Sequence, residues 1–196
     1  HKIDFYQKNQ VAKGLIKCQS DDILILSDLD EIPNPNIFDD LSSLKKNKKL
    51  ALELENFCYY LNGKLYDRNN NGVQSYGPAI VKFENFRSFH AERKEARNSI
   101  KEKINNNYNT IEKAGWHFGY LGGYYKVQKK IRSAAHTELN TNKFNTKNNI
   151  KNYINDGVFI VKEKDWKARY EPIEKIFPEK IYKVLCKYPH LIKKTH

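Results

Sequence analysis

A run of four apolar residues followed at once by three carboxylates constrains the fold of this chain most. Residues 21–33 read DDILILSDLDEIP, with apolar side chains at every position from 23 to 26. An unbroken apolar run of this length predicts an inner strand of an α/β sheet, covered on both faces. The carboxylates of Asp28, Asp30 and Glu31 follow at the carboxyl end of that strand, where open α/β sheets bind their ligands.

The rest of the chain alternates between helical and strand patterns. We therefore predict one α/β domain over residues 1–196, built on a mixed sheet, with a Pro-punctuated helical tail over 172–196. Helices are predicted over 3–18, 34–49, 89–100, 124–139, 146–156 and 171–192, and strands over 22–28, 50–62, 73–83 and 110–123.

Composition narrows the class of protein further. The net charge of +12 favours anionic partners, although a general excess of Lys and Asn is the alternative explanation. The three Cys have no metal-ligand spacing, which predicts a reducing, cytoplasmic location, with the membrane periphery as the alternative. No apolar run approaches the roughly 18 residues that span a membrane. Because the sequence contains no Met, we expect it to be the C-terminal part of a longer chain.

The acidic cluster predicts a site for a divalent cation. In an extended strand Asp28 and Asp30 would project to the same side, about 7 Å apart. Like charges this close repel each other unless a cation or a donor offsets them. Mg²⁺ or Mn²⁺ would do so, because such ions bind one or two carboxylates and complete their shell with water and substrate phosphates. The alternative is a polar exit loop that caps the next helix.

A second informative region is AGWHFGYLGG, residues 114–123. Trp116 would offer an aromatic face to a sugar ring or a base, and His117 would lie on the opposite face of the strand. Gly122 and Gly123 precede a helix whose first amides could hold a phosphate. Core packing of Trp116, a structural role for His117 and a plain glycine turn are the competing interpretations.

The helix that follows this glycine pair adds basic and imidazole side chains. Lys130 could face a diphosphate, although such a charge run is usually a solvated helix face. His136 could complete the metal site begun by Asp28 and Asp30, since His is a common ligand of transition metals. A plain surface position is the alternative for His136.

Together these segments resemble glycosyltransferase family 17, the β-1,4-mannosyl-glycoprotein 4-β-N-acetylglucosaminyltransferases and their bacterial and viral relatives. The resemblance covers most of residues 4–140 and places Asp28 and Asp30 on the family's DxD, Glu31 on the acidic residue after it, and Trp116 and His117 on its GWH. It implies a GT-A-like, Rossmann-type nucleotide-sugar fold that lacks its first strands here. The matching segments, in order, are YQKNQVAKGL, DDILILSDLDEIP, ENFCYYLN, YGPAIV, AGWHFGYLGG and KKIRSAAHTE.

The resemblance implies an inverting glycosyltransferase that uses Mn²⁺ or Mg²⁺ and a UDP-sugar donor, expected to be UDP-GlcNAc. The acceptor would be a glycan or glycoconjugate, and no nucleic acid is expected as a partner. An inverting transfer needs a general base, for which Glu31 is the first candidate because it should point away from the Asp pair; Asp156 and Glu138 are fallbacks. A metal-dependent phosphoesterase or nuclease, and a basic nucleic-acid-binding module, are the alternatives.

Overall fold

The computed structural model describes most of the chain and confirms an α/β fold with a mixed sheet. The residues it describes are 2–39, 41, 44, 48–102, 107–133, 139–142, 144–161 and 164–194. The chain divides into two compact units, one of His1–Leu54 with Gln74–His117 and the other of Glu55–Val73 with Phe118–His196. A Rossmann-type nucleotide-sugar fold and a single domain over 1–196 stay predictions.

The described residues contain eight strands and six α-helices, together with short 3-10 turns. The strands are β1 (Ile23–Leu26), β2 (Glu31–Pro33), β3 (Lys49–Cys58), β4 (Gly63–Tyr66), β5 (Gln74–Lys82), β6 (Tyr108–Ile111), β7 (Gly115–Gly119) and β8 (Lys167–Tyr170). The helices are α1 (Lys2–Asn9), α2 (Phe89–Glu102), α3 (Gly123–Ser133), α4 (Lys147–Asp156), α5 (Ile173–Ile176) and α6 (Glu179–Leu185). Among them, no helix combines the length and the apolar character needed to cross a membrane.

In the first unit, strands β1 and β5 pair antiparallel, β3 and β6 pair parallel, and β2 pairs with β7. Alternate side chains of these strands enter two apolar clusters. One cluster joins Leu24 and Leu26 of β1 to Phe89 and Ala96 of α2. The other gathers Leu50, Leu52, Leu54 and Ile80 with Leu44 and Ala114. Helix α2 therefore packs against the sheet face to which Leu24 and Leu26 of β1 point.

Strand β1 is not the inner strand that its apolar run predicts. Within the described residues β1 pairs only with β5, and antiparallel, so it lies at an edge of the sheet. Leu24 and Leu26 are buried, whereas Ile23 and Ile25 are 44% and 47% exposed. Side chains alternate in any strand, and exposed apolar residues are common on folded proteins. An apolar run therefore does not establish that both faces are covered.

The predicted N-terminal helix forms only in part. Helix α1 ends at Asn9 and continues as a 3-10 helix over Gln10–Leu15. Of the apolar residues in this segment, Leu15 packs against the core, while Phe5, Val11 and Ile16 are exposed. Of the helix predicted over 34–49, the structure describes a 3-10 turn at Pro35–Phe38, whose Asn34 cap accepts a bond from the amide of Asn36, and a helical Leu44; residues 40, 42, 43 and 45–47 lie outside the described residues.

In the second unit, the end of β3 pairs with β4, and β4 pairs with β8, all antiparallel. Helix α4 forms where it was predicted, and α3 covers the predicted helix as far as Ser133, beyond which residues 134–138 lie outside the described residues. The two helices bury Val127, Ile131, Ile150 and Ile154 in one cluster. The tail also contains helix, as its pattern predicts, in α5 and α6. Strands β4 and β8 were not predicted. Each has only four residues, with polar and apolar side chains mixed, which is too short for a strand pattern to be recognised.

The side-chain amide of Asn62 binds the C-terminal tail within this second unit. Asn62 is 1% exposed, and its Nδ2 donates to the carbonyls of Glu171 at 3.0 Å and Lys193 at 2.9 Å. Its Oδ1 accepts from the amide of Lys193 at 2.9 Å. The side chain thus replaces water for three backbone groups.

Replacing Asn62 with Ala should destabilise the protein by about 2–3 kcal/mol, because buried backbone groups lose their partners. Denaturant unfolding measures the loss, and limited proteolysis should show earlier cleavage near Lys193. Asn152→Ala, at an exposed position of α4, is the matched control and should change stability by less than about 0.5 kcal/mol. Equal stability of the two variants would contradict this role of Asn62.

Candidate functional site

The three predicted carboxylates lie in a tight turn between β1 and β2, which we call the acidic turn (residues 28–31). The amide of Glu31 donates to the carbonyl of Asp28 at 3.0 Å, and the amide of Asp28 donates to Oε2 of Glu31 at 2.7 Å. These reciprocal bonds fold the segment back on itself. The extended geometry predicted for Asp28 and Asp30 is therefore wrong, although both residues remain at the end of β1.

A buried arginine of α2 binds this turn. Nη1 of Arg93 lies 2.5 Å from Oε2 of Glu31, and Nη2 lies 3.0 Å from Oε1 of Glu31 and 2.9 Å from Oδ2 of Asp28. The Arg93 side chain is 7% exposed. Burial by itself would lower the pKa of Arg93, but the hydrogen bonds and charge of Glu31, with the charges of Asp28 and Asp30, raise it above its usual value. Arg93 is therefore a permanent cation here.

This contact corrects the role predicted for Glu31. Glu31 is 5% exposed, and both of its carboxylate oxygens bind Arg93. Glu31 and Asp28 bind the same arginine, so Glu31 does not point away from Asp28. A general base must reach the hydroxyl from which it takes a proton, so a carboxylate enclosed in this way is poorly placed for that role.

A cleft opens beside the acidic turn within the first unit. Its volume is about 390 Å³. Nζ of Lys8, from α1, lies 3.9 Å from Oδ2 of Asp28 and brings a second cation to the same carboxylate. The cleft thus combines negative, positive and apolar groups, the last from Val11, Leu29 and Phe89.

His117 lies next to the remaining carboxylate of the turn. The antiparallel pairing of β2 with β7 places Glu31 opposite His117, and Nε2 of His117 lies 3.7 Å from Oδ1 of Asp30. Its side chain is 30% exposed, and that of Asp30 is 32% exposed. The structure therefore brings Asp28, Asp30, Glu31 and His117 together through the two short strands β2 and β7, whereas the sequence suggested His136 as the histidine beside the Asp pair.

Trp116 does not present the aromatic face that was predicted for it. It is 4% exposed and lies opposite Ile32 in the pairing of β7 with β2. A sugar ring cannot stack on a side chain that the core already covers. The competing interpretation, core packing, describes Trp116 in this structure.

The other predicted donor-binding residues belong to the second unit. The amide of Gly122 donates to the carbonyl of Tyr59 at 3.4 Å, so that amide already has an acceptor. Gly123 begins α3, and Nζ of Lys130 lies 5.2 Å above the ring of Tyr120. Asp156 is exposed at the end of α4. His136 and Glu138 lie outside the described residues.

The acidic turn offers oxygen ligands that suit a hard divalent cation. The side chains of Asp28 and Asp30 are 40% and 32% exposed, and both line the cleft. Over the part of the chain that the structure describes, no group of three or more His, Cys, Asp and Glu side chains could hold a metal ion by itself. One or two carboxylates are nevertheless the usual protein share of a Mg²⁺ site that substrate phosphates complete. The residues therefore fit such an ion.

Arg93 is the main functional residue that sequence analysis missed. The segment around it was predicted only as a charged helix. Phe89, Arg93 and Ala96 follow the spacing of one helix face, and all three are buried. A cation on the apolar face of a helix predicts a buried acidic partner, because an unpaired buried charge is very costly. This spacing was the available signal, although it does not identify which carboxylate is the partner.

No protein family model, curated protein or solved structure matches this chain. Fold and site together define an α/β protein with an arginine-bound acidic turn at the mouth of a cleft.

Proposed function

We propose that the protein is a metal-dependent inverting glycosyltransferase that moves GlcNAc from UDP-GlcNAc to a glycan or glycoconjugate acceptor. The observation that carries the proposal is the placement of Asp28 and Asp30 on one cleft, beside the cation of Lys8. A nucleotide-sugar donor has a diphosphate that needs cations, and the resemblance to glycosyltransferase family 17 supports such a donor. A cytoplasmic location stays part of this proposal.

Asp30, with Asp28 at its side, would hold Mn²⁺ or Mg²⁺. When bound, the ion would offset the negative charge that develops on the departing diphosphate. Lys8 supplies a further cation for the same phosphates, since charge-assisted bonds from Lys to phosphate are among the stronger polar contacts. Arg93 remains with Asp28 and Glu31, because Nη1 and Nη2 of its guanidinium already bind their carboxylates.

The transfer exchanges one bond at the anomeric carbon for another. The acceptor hydroxyl oxygen bonds to that carbon while the bond to the diphosphate oxygen breaks, and UDP leaves with the bonding electron pair. Attack from the side opposite to UDP inverts the configuration. The hydroxyl proton passes to a general base. Glu31 is engaged by Arg93, so this role does not fall to Glu31.

Calorimetric titration with UDP and with UDP-GlcNAc, each with and without Mn²⁺, tests the proposal. We expect Mn²⁺ to tighten both by at least about tenfold, because Asp28 and Asp30 would hold the ion and its charge would offset that of the diphosphate. Binding of UDP without UDP-GlcNAc would keep a transferase but change its sugar. Failure of both to bind would contradict the proposal. Hydrolysis of nucleic acid by the same preparation would identify a metal-dependent phosphoesterase instead.

A further inference from the structure

We infer that one face of helix α3 is a binding site for an acidic saccharide, in which Tyr125 stacks on a sugar ring while Lys129 and Arg132 bind carboxylate or phosphate groups of the saccharide. For the proposed transferase this saccharide is the acceptor, and that part of the inference rests on the proposed function. The binding site itself concerns the second unit alone, so it is tested without donor, metal or transfer.

The positive charge of the chain is concentrated in the second unit. The two units are equally long, yet the first has 16 Lys and Arg against 14 Asp and Glu, a net charge of +2, and the second has 19 against 9, a net charge of +10. A general excess of Lys raises the charge of both units alike and does not explain this division. The difference is mostly a lack of carboxylates in the second unit, so its cations outnumber their acidic partners, which favours an anionic ligand there.

Helix α3 presents exposed cations and one exposed ring on a single face. Tyr125, Gln128, Lys129 and Arg132 have the i, i+3, i+4 and i+7 spacing of such a face. Tyr125 is 65% exposed, and Lys129 and Arg132 are exposed as well. The buried apolar residues of the helix lie in the core of the second unit and hold the helix in place. The exposed face is therefore presented by a fixed element.

A pocket of about 280 Å³ opens on this face, lined by its four residues and by Ser133. Nε2 of Gln128 donates to the carbonyl oxygen of Asn145 at 3.2 Å, which fixes the Gln128 amide beside the pocket. Oγ of Ser133 donates to the carbonyl of Lys129 at 2.9 Å. An aromatic ring, an amide, a hydroxyl and two cations are groups that suit a sugar ring and its acidic substituent.

The two cations of the pocket need not leave an acidic partner to bind a ligand. In the part of the chain that the structure describes, neither Lys129 nor Arg132 forms an ion pair with a carboxylate, whereas Lys64 and Lys183 of the same unit do. The guanidinium of Arg132 offers two parallel donors to the two oxygens of a carboxylate or phosphate. Lys129 adds a second charge one helical turn away. An acidic group would therefore be bound from two sides.

The aromatic rings of the second unit favour a saccharide over single-stranded nucleic acid, which stacks successive bases on several rings. Other rings of this unit already lie under cations: Nζ of Lys147 is 5.4 Å from the centre of the Tyr124 ring, and the guanidinium of Arg169 is 4.6 Å from that of Tyr66. No described ring or cation covers Tyr125 in this way. A single uncovered ring suits one sugar ring better than a row of bases.

The same face is poorly suited to enter a lipid bilayer. A helix that binds at a membrane interface buries an apolar face at the acyl boundary. The apolar residues Val127 and Ile131 of α3 are instead 0% and 1% exposed, because they pack in the core. The exposed face therefore lacks the apolar stripe that a bilayer requires.

Binding of acidic hexasaccharides by the full chain, without metal or nucleotide, tests the site. The probes are a galacturonic acid hexasaccharide and a mannose hexasaccharide with a terminal phosphate. We expect each to bind at least about tenfold more tightly than its neutral counterpart, because hydrogen bonds to charged groups are about twice as strong as neutral ones. The double variant Lys129→Gln, Arg132→Gln should weaken binding at least about tenfold. Tyr125→Ala should weaken it about fivefold, and Tyr125→Phe, which keeps the ring, less than about twofold.

The matched control is the double variant Lys180→Gln, Lys187→Gln. Both lysines are exposed in the tail of the same unit, and neither lines the pocket. The control removes the same two charges and should weaken binding less than about threefold, since screened charges act weakly at a distance. All these side chains are exposed, so the melting temperature of every variant should stay within about 2 °C of the wild type.

A transfer assay connects the site to the acceptor. With the acidic hexasaccharides as acceptors, the double variant Lys129→Gln, Arg132→Gln should raise KM at least about tenfold and leave kcat within about twofold, because it removes binding that is equal in the ground state and the transition state. An unchanged KM would overturn the assignment of this saccharide as the acceptor.

The outcomes separate this inference from the proposed function. Equal losses of affinity in the α3 variant and the tail control would overturn the site, since net charge alone would then explain binding. Tighter binding of a single-stranded oligonucleotide, or of vesicles containing phosphatidylserine, would overturn the choice of ligand. Failure of both acidic hexasaccharides to bind, with UDP-GlcNAc bound, would overturn the inference and leave the transferase. Binding of the hexasaccharides without any binding of UDP or UDP-GlcNAc would contradict the transferase and support the site.

Discussion

Replacing Asp30 with Asn should lower the rate of metal-dependent sugar transfer by about a thousandfold. A bound divalent ion contributes several kcal/mol to a transition state that develops charge, and each 1.4 kcal/mol is about a factor of ten in rate. Asn keeps the shape of the side chain but not the charge that attracts the ion. Release of UDP from UDP-GlcNAc, with Mn²⁺ and a panel of glycan acceptors, measures the rate.

The control for this prediction is Asp21→Asn, at an exposed acidic residue that precedes β1. It removes the same charge from the same segment and should leave the rate within about twofold, since a screened surface charge acts weakly at a distance. The melting temperature of Asp30→Asn should stay within a few degrees of the wild type, about the range expected for a partly exposed carboxylate. Full activity of a folded Asp30→Asn variant would remove Asp30 from the site.

The largest effect on stability is expected at Glu92. This side chain is completely buried and accepts bonds from the amide of Arg87 at 3.1 Å and from the hydroxyl of Tyr108. Lys49, 10% exposed, and the Nε of Arg87 complete its shell. Glu92→Gln should cost about 3–5 kcal/mol, because the substitution leaves the buried ammonium of Lys49 without an anion. Denaturant unfolding at neutral pH measures this loss.

The pH dependence of stability provides a second test of Glu92. Burial by itself would raise the pKa of Glu92, but the hydrogen bonds from Arg87, Lys49 and Tyr108 lower it below its usual value. A carboxylate with a lowered pKa adds stability above its unfolded pKa, about 4.3, and loses it as the pH falls through the folded pKa. The difference in unfolding free energy between wild type and Glu92→Gln should therefore shrink below about pH 4.

Glu95→Gln is the matched control on the same helix. Glu95 also binds Arg87, at 2.7 Å, but its side chain is 39% exposed. Its loss should cost less than about 1 kcal/mol, because water screens the pair. If both Gln variants were equally stable, the buried network around Glu92 would not stabilise the fold.

Several elements could be predicted from the sequence because their local patterns are long or well capped. Helices α3 and α4 repeat an apolar residue every third or fourth position, and α4 also has Thr146 and Gly157 as its caps. Strands β3 and β5 are nine or ten residues long, which is enough for their apolar content to stand out. The short strands β2, β4 and β8 have three or four residues each and depend on their partners.

The amino-acid sequence by itself determined the α/β class and the acidic segment after the first strand, because apolar periodicity and clusters of charge are local properties. Only the tertiary structure decided that β1 is an edge strand, that the carboxylates form a turn, and that Arg93 lies against them. Arg93 is 62 residues from Glu31 in the chain. A local pattern contains no information on pairing over such a separation, so the carboxylates that bind Arg93 depend on how the sheet places α2.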